Sequence, residues 1–198
     1  MSNPIFLAPR VINLETPHYI VRTLETTDAT ESWRHWMTDA ATLRNLNAKP
    51  VVLTDAEIRA YIARFDRMTS HLLGIFEKDA GHLIGIRAIY IDPQHAEFLV
   101  NVLVGESEAR NKGARTETRD VIYRYFFETL DLQSARCTVL ATNAPVLRIM
   151  DRAGWVQEHT DHKPATDGAG FVEIRSFRLT RAVWKQRDLE KAVQAASS

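Results

Sequence analysis

The sequence is poor in cysteine, with one residue, Cys137, in a chain of 198. A disulfide within the chain is therefore excluded, and a reducing, cytoplasmic setting is the natural expectation. Cys137 lies in the apolar run Ala135-Arg-Cys-Thr-Val-Leu140, where it reads as a small buried hydrophobe rather than a nucleophile. An excess of either charge is also missing, because 25 Lys and Arg are matched by 25 Asp and Glu. That balance argues against a nucleic-acid binder working through a basic surface, and against a strongly polyionic partner. No apolar run approaches the length of a membrane span. The start Met-Ser-Asn-Pro has neither a basic n-region nor an apolar h-region, so no signal peptide is expected. Internal repeats and low-complexity segments are absent.

What is present fits one globular domain, residues 1–198, with a core over about 15–180 and a C-terminal helix or tail over 181–198. Residues 1–16 read as a lead-in of little periodicity. His18 to Leu24 reads as the first strand. Thr26-Thr-Asp28 with Glu31 three residues on reads as a capping box that opens a helix through Trp33, Trp36 and Met37. A short turn at Thr42–Asn47 follows. Thr54-Asp-Ala-Glu57 is a second capping box, opening a helix with Ile58, Tyr61, Ile62 and Phe65 on one face. Strands are expected at His71–Phe76, at His82–Ile91 and from about Ala96, joined by turns at Glu77–Gly81 and Asp92–His95. A long helix is expected where Val121, Ile122, Tyr125, Phe126 and Leu130 recur at three- and four-residue spacing. Ser134–Ala141 is a short strand. Asn143-Ala-Pro145 starts a further helix that ends at Gly154. Strands at Trp155–His159 and Phe171–Leu179 flank a polar loop, and Arg181–Ala196 is helical.

One stretch organises this order. Ala96-Glu-Phe-Leu-Val-Asn-Val-Leu-Val-Gly105 is a strand, and Glu106 to Arg115 is a polar loop with Gly113 at the head of the long helix. The first turn of a helix has unpaired N–H groups and the positive end of the dipole, which favour an anion such as a phosphate. Gly113 lets backbone approach it, and Arg110, Lys112 and Arg115 add positive charge. Arg110-Asn-Lys-Gly113-Ala-Arg115 resembles the Arg/Gln-x-x-Gly-x-Gly/Ala motif by which GCN5-related N-acetyltransferases (GNAT) bind acyl-CoA. The run Asn111 to Glu117 is similar to the Gly-Lys-Gly-x-x-Thr-Glu stretch of the branch that acetylates ribosomal-protein N-termini and small amines. Arg115 departs from the family's small residue, and Asn111 from a frequent glycine. Asn143 to Trp155 resembles a further family segment, with Trp155 at its Phe position.

The resemblance implies an α/β fold of α+β type, with a mixed, mostly antiparallel sheet of about six to seven strands flanked by helices. It implies acetyl-CoA as co-substrate and direct transfer of acetyl to a primary amine in a ternary complex. The acceptor would be a small amine, an amino sugar or a protein N-terminus. No metal, nucleic acid or membrane is implied, and the protein would be a monomer or homodimer. A non-catalytic acyl-CoA-binding sensor or interaction domain is the alternative. The pantetheine would lie along the strand beside Asn101, Val102, Leu103 and Val104. The CoA loop would comprise Arg110, Asn111, Lys112, Gly113, Ala114 and Arg115, and Asn143 would bond pantetheine or cap its helix.

Amine acetylation needs a proton acceptor, stabilisation of the carbonyl oxygen, and positioning. Glu97 is the first candidate base, sharing a strand face with Leu99, Asn101 and Leu103; a solvent-facing carboxylate is the competing reading. Asn101 interrupts an apolar strand and faces either a cavity or neighbouring backbone. His95 is a weaker candidate. The family's acidic tyrosine is replaced by Met150, with Val146 at a Ser/Ala position, leaving water, Tyr90 or Tyr123 for that part. His159, Asp161 and His162 lack a metal-ligand spacing.

Overall fold

The computed structural model describes residues 8–44, 46–106, 109 and 112–196. The strands are β1 (Asn13–Glu15), β2 (Tyr19–Thr23), β3 (Ser70–Glu77), β4 (Leu83–Asp92), β5 (Glu97–Val104), β6 (Ser134–Leu140), β7 (Val156–Pro164) and β8 (Phe171–Thr180). The helices are α1 (Glu31–Thr38), α2 (Ala40–Arg44), α3 (Asp55–Ile62), α4 (Ala114–Arg124), α5 (Ala144–Arg152) and α6 (Arg181–Ala196). The strands form one sheet in the order β1-β2-β3-β4-β5-β6-β8-β7. Every pairing is antiparallel except that of β5 with β6. This is the expected mixed α/β sheet with eight strands in place of six or seven.

The added strand is β1. Three residues carry no readable alternation, and backbone pairing with β2 alone makes them a strand. The other edge was also longer than its sequence suggested. β7 continues through Thr160–Pro164, a stretch expected as loop, and all nine of its residues are exposed. An edge strand with no buried face has no hydrophobic period to read. At the first helix the capping residue is Thr30, whose hydroxyl accepts from the Trp33 N–H, and not Asp28. Asp28 instead closes a short 3-10 turn with Glu25 and pairs with Arg22. The second capping box forms as read: Thr54 accepts from the Glu57 N–H, and Glu57 accepts from the Thr54 N–H.

Strand alternation gives the sheet two apolar faces. On one, Trp33, Trp36, Ile58 and Ile62 pack on Leu72, Ile86 and Ala88. On the other, Phe98 stacks on Phe126 at 5.0 Å between ring centres and meets Tyr123 and Phe127 edge-on. α4 ends in a π-helical turn, Tyr125–Thr129, in which the Leu130 N–H donates to the Tyr125 carbonyl. The wider turn brings Tyr123 and Phe127 into the core beside Ile122 and Phe126. α6 packs onto the core through Trp184, which is buried against Phe127.

The β3–β4 register slips where Ile75 pairs Gly85 and Phe76 pairs Leu83, leaving Ile84 as a bulge. The Ile84 carbonyl accepts from the N–H groups of Gly105 and Glu106, which fixes where β5 turns into its loop. Gly105 lies on the indole of Trp36, and a Cβ there would come within 2.0 Å of the ring. Gly105→Ala is expected to cost roughly 1–3 kcal/mol by overpacking. Chemical denaturation of the variant against the parent measures it.

Candidate active site

β5 and β6 pair in register at three positions only, Glu97↔Ser134, Phe98↔Ala135 and Leu99↔Arg136. Beyond them β5 runs on to Val104 beside β4, and β6 to Leu140 beside β8, with no pairing between the two. The sheet is thus split from its middle to one edge. The Gly105 N–H donates to Ile84, and alternation along the antiparallel ladder then turns the N–H and C=O groups of Leu103, Asn101 and Leu99 toward β4. Those of Val100 and Val102 point into the gap. Asn101 is exposed, and Val102 and Leu103 half-buried, at the centre of an eight-stranded sheet. Buried backbone groups are nearly always paired, so an open strand edge in a core calls for a partner.

Two helices begin at the wide end of this gap. From β5 the chain reaches Gly113, the N-cap of α4, in the left-handed conformation at φ 80°. The direction of a Cβ at Gly113 meets nothing within 4 Å. Ala114 is buried beneath the first turn, while Lys112 and Gly113 are exposed and Arg115 is half-buried. The residues Arg110 and Asn111, also expected in the loop, lie outside the described residues. From β6 the chain reaches Asn143, the N-cap of α5, whose side chain makes no capping hydrogen bond. Of the two readings of Asn143, the cap is not formed. α5 lays Val146, Leu147 and Met150 partly buried against the core. Val100, Val102, Gly113 and Asn143 therefore line a slot with an unpaired strand edge along it and helix N-termini at its mouth. That arrangement fits a pantetheine arm with a diphosphate at its end.

The two faces of the slot differ. Cross-strand partners share a face, so Tyr90, Leu99, Ala88 and Asn101 look toward α1 and α3. On β6 and β8 the same face carries Arg136, Thr138, Ser176 and Arg178. Tyr90 is 41% exposed there and stacks on Phe65. Tyr123 faces the other way into the core, where burial pushes its hydroxyl well above the ordinary range. Met150 packs its sulfur 3.8 Å from that of Cys137, whose thiol burial pushes up to about 12.

Glu97 lies at the closed end of the slot, where β5 and β6 still pair, and is buried rather than set against an apolar surface or in solvent. Its oxygens meet Arg136 at 3.2 Å, Arg178 at 3.4 Å and the Ser134 hydroxyl at 3.4 Å. Glu158 on β7 joins the same two arginines at 2.7 and 2.6 Å. Two carboxylates and two guanidiniums close a neutral quartet that ties β5, β6, β7 and β8 together. Burial works against the Glu158 charge, but hydrogen bonds from Arg136 and Arg178 prevail and hold its carboxyl below the usual range. His95 sits in the turn before β5 and pairs with Asp92 at 2.7 Å, whose hydrogen bond raises the imidazole pKa.

Asn47, in the loop after α2, reaches across to the β7–β8 hairpin. It adopts the left-handed conformation at φ 49°. Its amide donates to the Pro164 carbonyl at 3.1 Å and accepts from the Thr166 N–H at 3.0 Å. The loop after α2 is thereby latched to the tip of the β7–β8 hairpin. Asn47 was legible only as a turn residue. The quartet was less legible, because its members are 20 to 81 positions apart in the chain, at 97, 136, 158 and 178.

The sequence matches the acetyltransferase (GNAT) domain over residues 18–156. The chain belongs to the GNAT acetyltransferase family. Acetyl-CoA is the co-substrate of that family. No curated protein sequence matches the chain. Solved structures share the fold at low identity. A GCN5-related N-acetyltransferase from Brucella melitensis superposes with a TM-score of 0.75 at 17% identity, over 94% of this chain and 86% of that one. The ribosomal-protein-S5-alanine acetyltransferase from Vibrio fischeri gives 0.74 at 15%, over 87% and 98%. The spermidine N-acetyltransferase from Vibrio cholerae, in complex with CoA and spermine, gives 0.73 at 14%, over 84% and 97%. Among the described residues no helix of this GNAT domain is long and apolar enough to cross a membrane. Nor do those residues contain a cluster of three or more His, Cys, Asp or Glu side chains placed to hold a metal.

Three outcomes test the geometry of this GNAT domain. Glu97→Gln is expected to lower stability in denaturation at neutral pH by roughly 1–3 kcal/mol, because two half-exposed arginines lose one of their two anions. The Glu158 carboxyl is depressed on folding, so its own contribution is present above about 4.5 and fades as pH falls through the folded value. Glu158→Gln should therefore cost stability at neutral pH and progressively less in acid, which denaturation of that variant at both pH values checks. Asn47→Ala should leave acetyl-CoA affinity within about twofold and raise the acceptor KM several-fold, as a loosened positioning contact would. Steady-state kinetics with either substrate varied separates the two.

Proposed function

We propose that this GNAT domain transfers acetyl directly from acetyl-CoA to a primary amine in a ternary complex, in the cytoplasm. The acceptor would be a small amine, an amino sugar or a protein N-terminus. The observation that carries the reading is the three-residue β5–β6 pairing, which leaves Val100 and Val102 open along a slot that ends at Gly113 and Asn143. The neighbours named for ribosomal-protein and spermidine acetylation support an amine acceptor by fold alone.

On this reading Val102, Leu103 and Val104 line the pantetheine, and Lys112, Gly113, Ala114 and Arg115 the diphosphate, with Arg110 and Asn111 beside them by sequence. Asn143, free of a capping role, bonds the pantetheine amide. Bound acetyl-CoA supplies the acetyl group as a thioester. Backbone N–H groups of Val100 and Val102 are the donors available to its carbonyl oxygen, where developing negative charge needs them. The acceptor enters from the α1–α3 face, with Asn101 and Thr138 offering it hydrogen bonds. Glu97 is the candidate base from sequence, but its oxygens are taken up by Arg136, Arg178 and the Ser134 hydroxyl at the closed end of the slot, away from Val100 and Val102. We therefore assign proton loss to water beside Asn101 and keep Glu97 as the clamp at the foot of the slot. The leaving thiolate is protonated by water, since Met150 stands where the family has a tyrosine.

Thiol release from acetyl-CoA across a panel of amines, amino sugars and N-terminal peptides tests the activity. Binding of acetyl-CoA without turnover by any amine would favour a sensor or interaction domain. Gly113→Trp is expected to weaken CoA binding at least tenfold in calorimetry while the protein stays folded, because its side chain enters the space kept open at the helix head. Unchanged affinity would place the cofactor elsewhere.

A further inference from the structure

Arg87 lies in the middle of β4, in the run Leu83-Ile-Gly-Ile-Arg-Ala-Ile-Tyr-Ile91, and is 2% exposed. Alternation turns it to the α4 face with Ile89 and Ile91. Its guanidinium donates to the Arg115 carbonyl at 2.7 Å and to the Thr118 hydroxyl at 2.9 Å. That hydroxyl donates in turn to the Ala114 carbonyl at 2.6 Å. Both Ala114 and Thr118 are wholly buried. The Arg87 Nε is buried with no hydrogen-bond partner. Asp120 acts on it from a distance only, and is itself bonded to Arg119. Burial lowers the Arg87 pKa to about 10, which leaves it charged at neutral pH.

A buried cation bonded only to a carbonyl and a hydroxyl is costly to hold. Its two anchors, Arg115 and Thr118, lie in the first two turns of α4, whose leading N–H groups face the mouth of the slot. One turn of helix is about 5.4 Å long, so the charge stands close behind those donors. A desolvated charge is also screened far less by salt than a surface lysine.

We propose that Arg87 is a positioning residue for the anionic end of the acyl-CoA. From beneath α4 it fixes the first turn and adds positive charge behind the N–H groups that receive the diphosphate. The inference rests on the acetyl-CoA reading of the slot. Its test compares CoA with pantetheine, which lacks every phosphate, by calorimetry and competition. Arg87→Met should weaken CoA by about tenfold or more and pantetheine by less than about threefold, and Arg87→Lys should recover most of the loss. Parental CoA affinity, or equal losses for the two ligands, would overturn the proposal and leave Arg87 a purely structural residue. Should Arg87→Met not fold, Thr118→Val is read the same way: it removes one anchor at nearly constant volume, so a loss selective for CoA supports the proposal and an equal loss overturns it. A parent protein that binds no CoA would refute the acetyl-CoA reading itself.

Discussion

The structure depends on a hydrogen-bond ladder that stops early. Between β5 and β6 three residue pairs form and the rest are forgone. A sheet normally gains from each further pair, so the forfeit must be held open by the surroundings. β4 holds β5 through eight pairs and β8 holds β6 through seven. The two halves are rigid by themselves and joined at one end. The quartet of Glu97, Arg136, Glu158 and Arg178 sits at that joined end, where it adds charge-assisted bonds to the last shared pairs.

The elements that position the slot follow from the same economy. The bulge at Ile84 sets the end of β5, and Gly105 on Trp36 allows the chain to leave the sheet closely along α1. The π turn at the far end of α4 packs Tyr123 and Phe127 around Phe98, fixing the helix under the open strand. Arg87 then ties the near end of α4 to β4. The helix is held at both ends, so the direction of its first turn is decided by the core rather than by a ligand.

How much of this could be read from the chain divides by range. Local signals were legible: Thr54 and Glu57 form the capping box their spacing announces, and Gly113 occupies the left-handed position that a glycine at a helix head suggests. The long helix was legible from Ile122, Phe126 and Leu130, but not its π turn, which moves Phe127 inward without altering the apparent period. β1 and the outer half of β7 escaped because backbone pairing makes them strands and neither buries an alternating face. Glu97 was legible as a polar residue on the face of Asn101. Its engagement with arginines 39 and 81 positions further on, shared with a carboxylate 61 positions on, was not, since nothing local marks ion pairs across β6, β7 and β8. Arg87 did carry a signal, a lone cation in an apolar strand, and its meaning appeared only once α4 was seen to lie over it.

The closed charge balance of the quartet has a consequence for how the two substrates of the proposed reaction reach the protein. Around the acceptor face, Arg136 and Arg178 are balanced by Glu97 and Glu158, so the quartet adds no net charge to that side of the slot. The chain as a whole is also neutral. At the other mouth a buried guanidinium and a helix dipole point the same way. Encounter with a polyanionic nucleotide thioester is then guided from a distance, and its rate falls as ionic strength rises. Encounter with the acceptor is left to unguided diffusion, and selection among amines falls to shape and hydrogen bonding after contact.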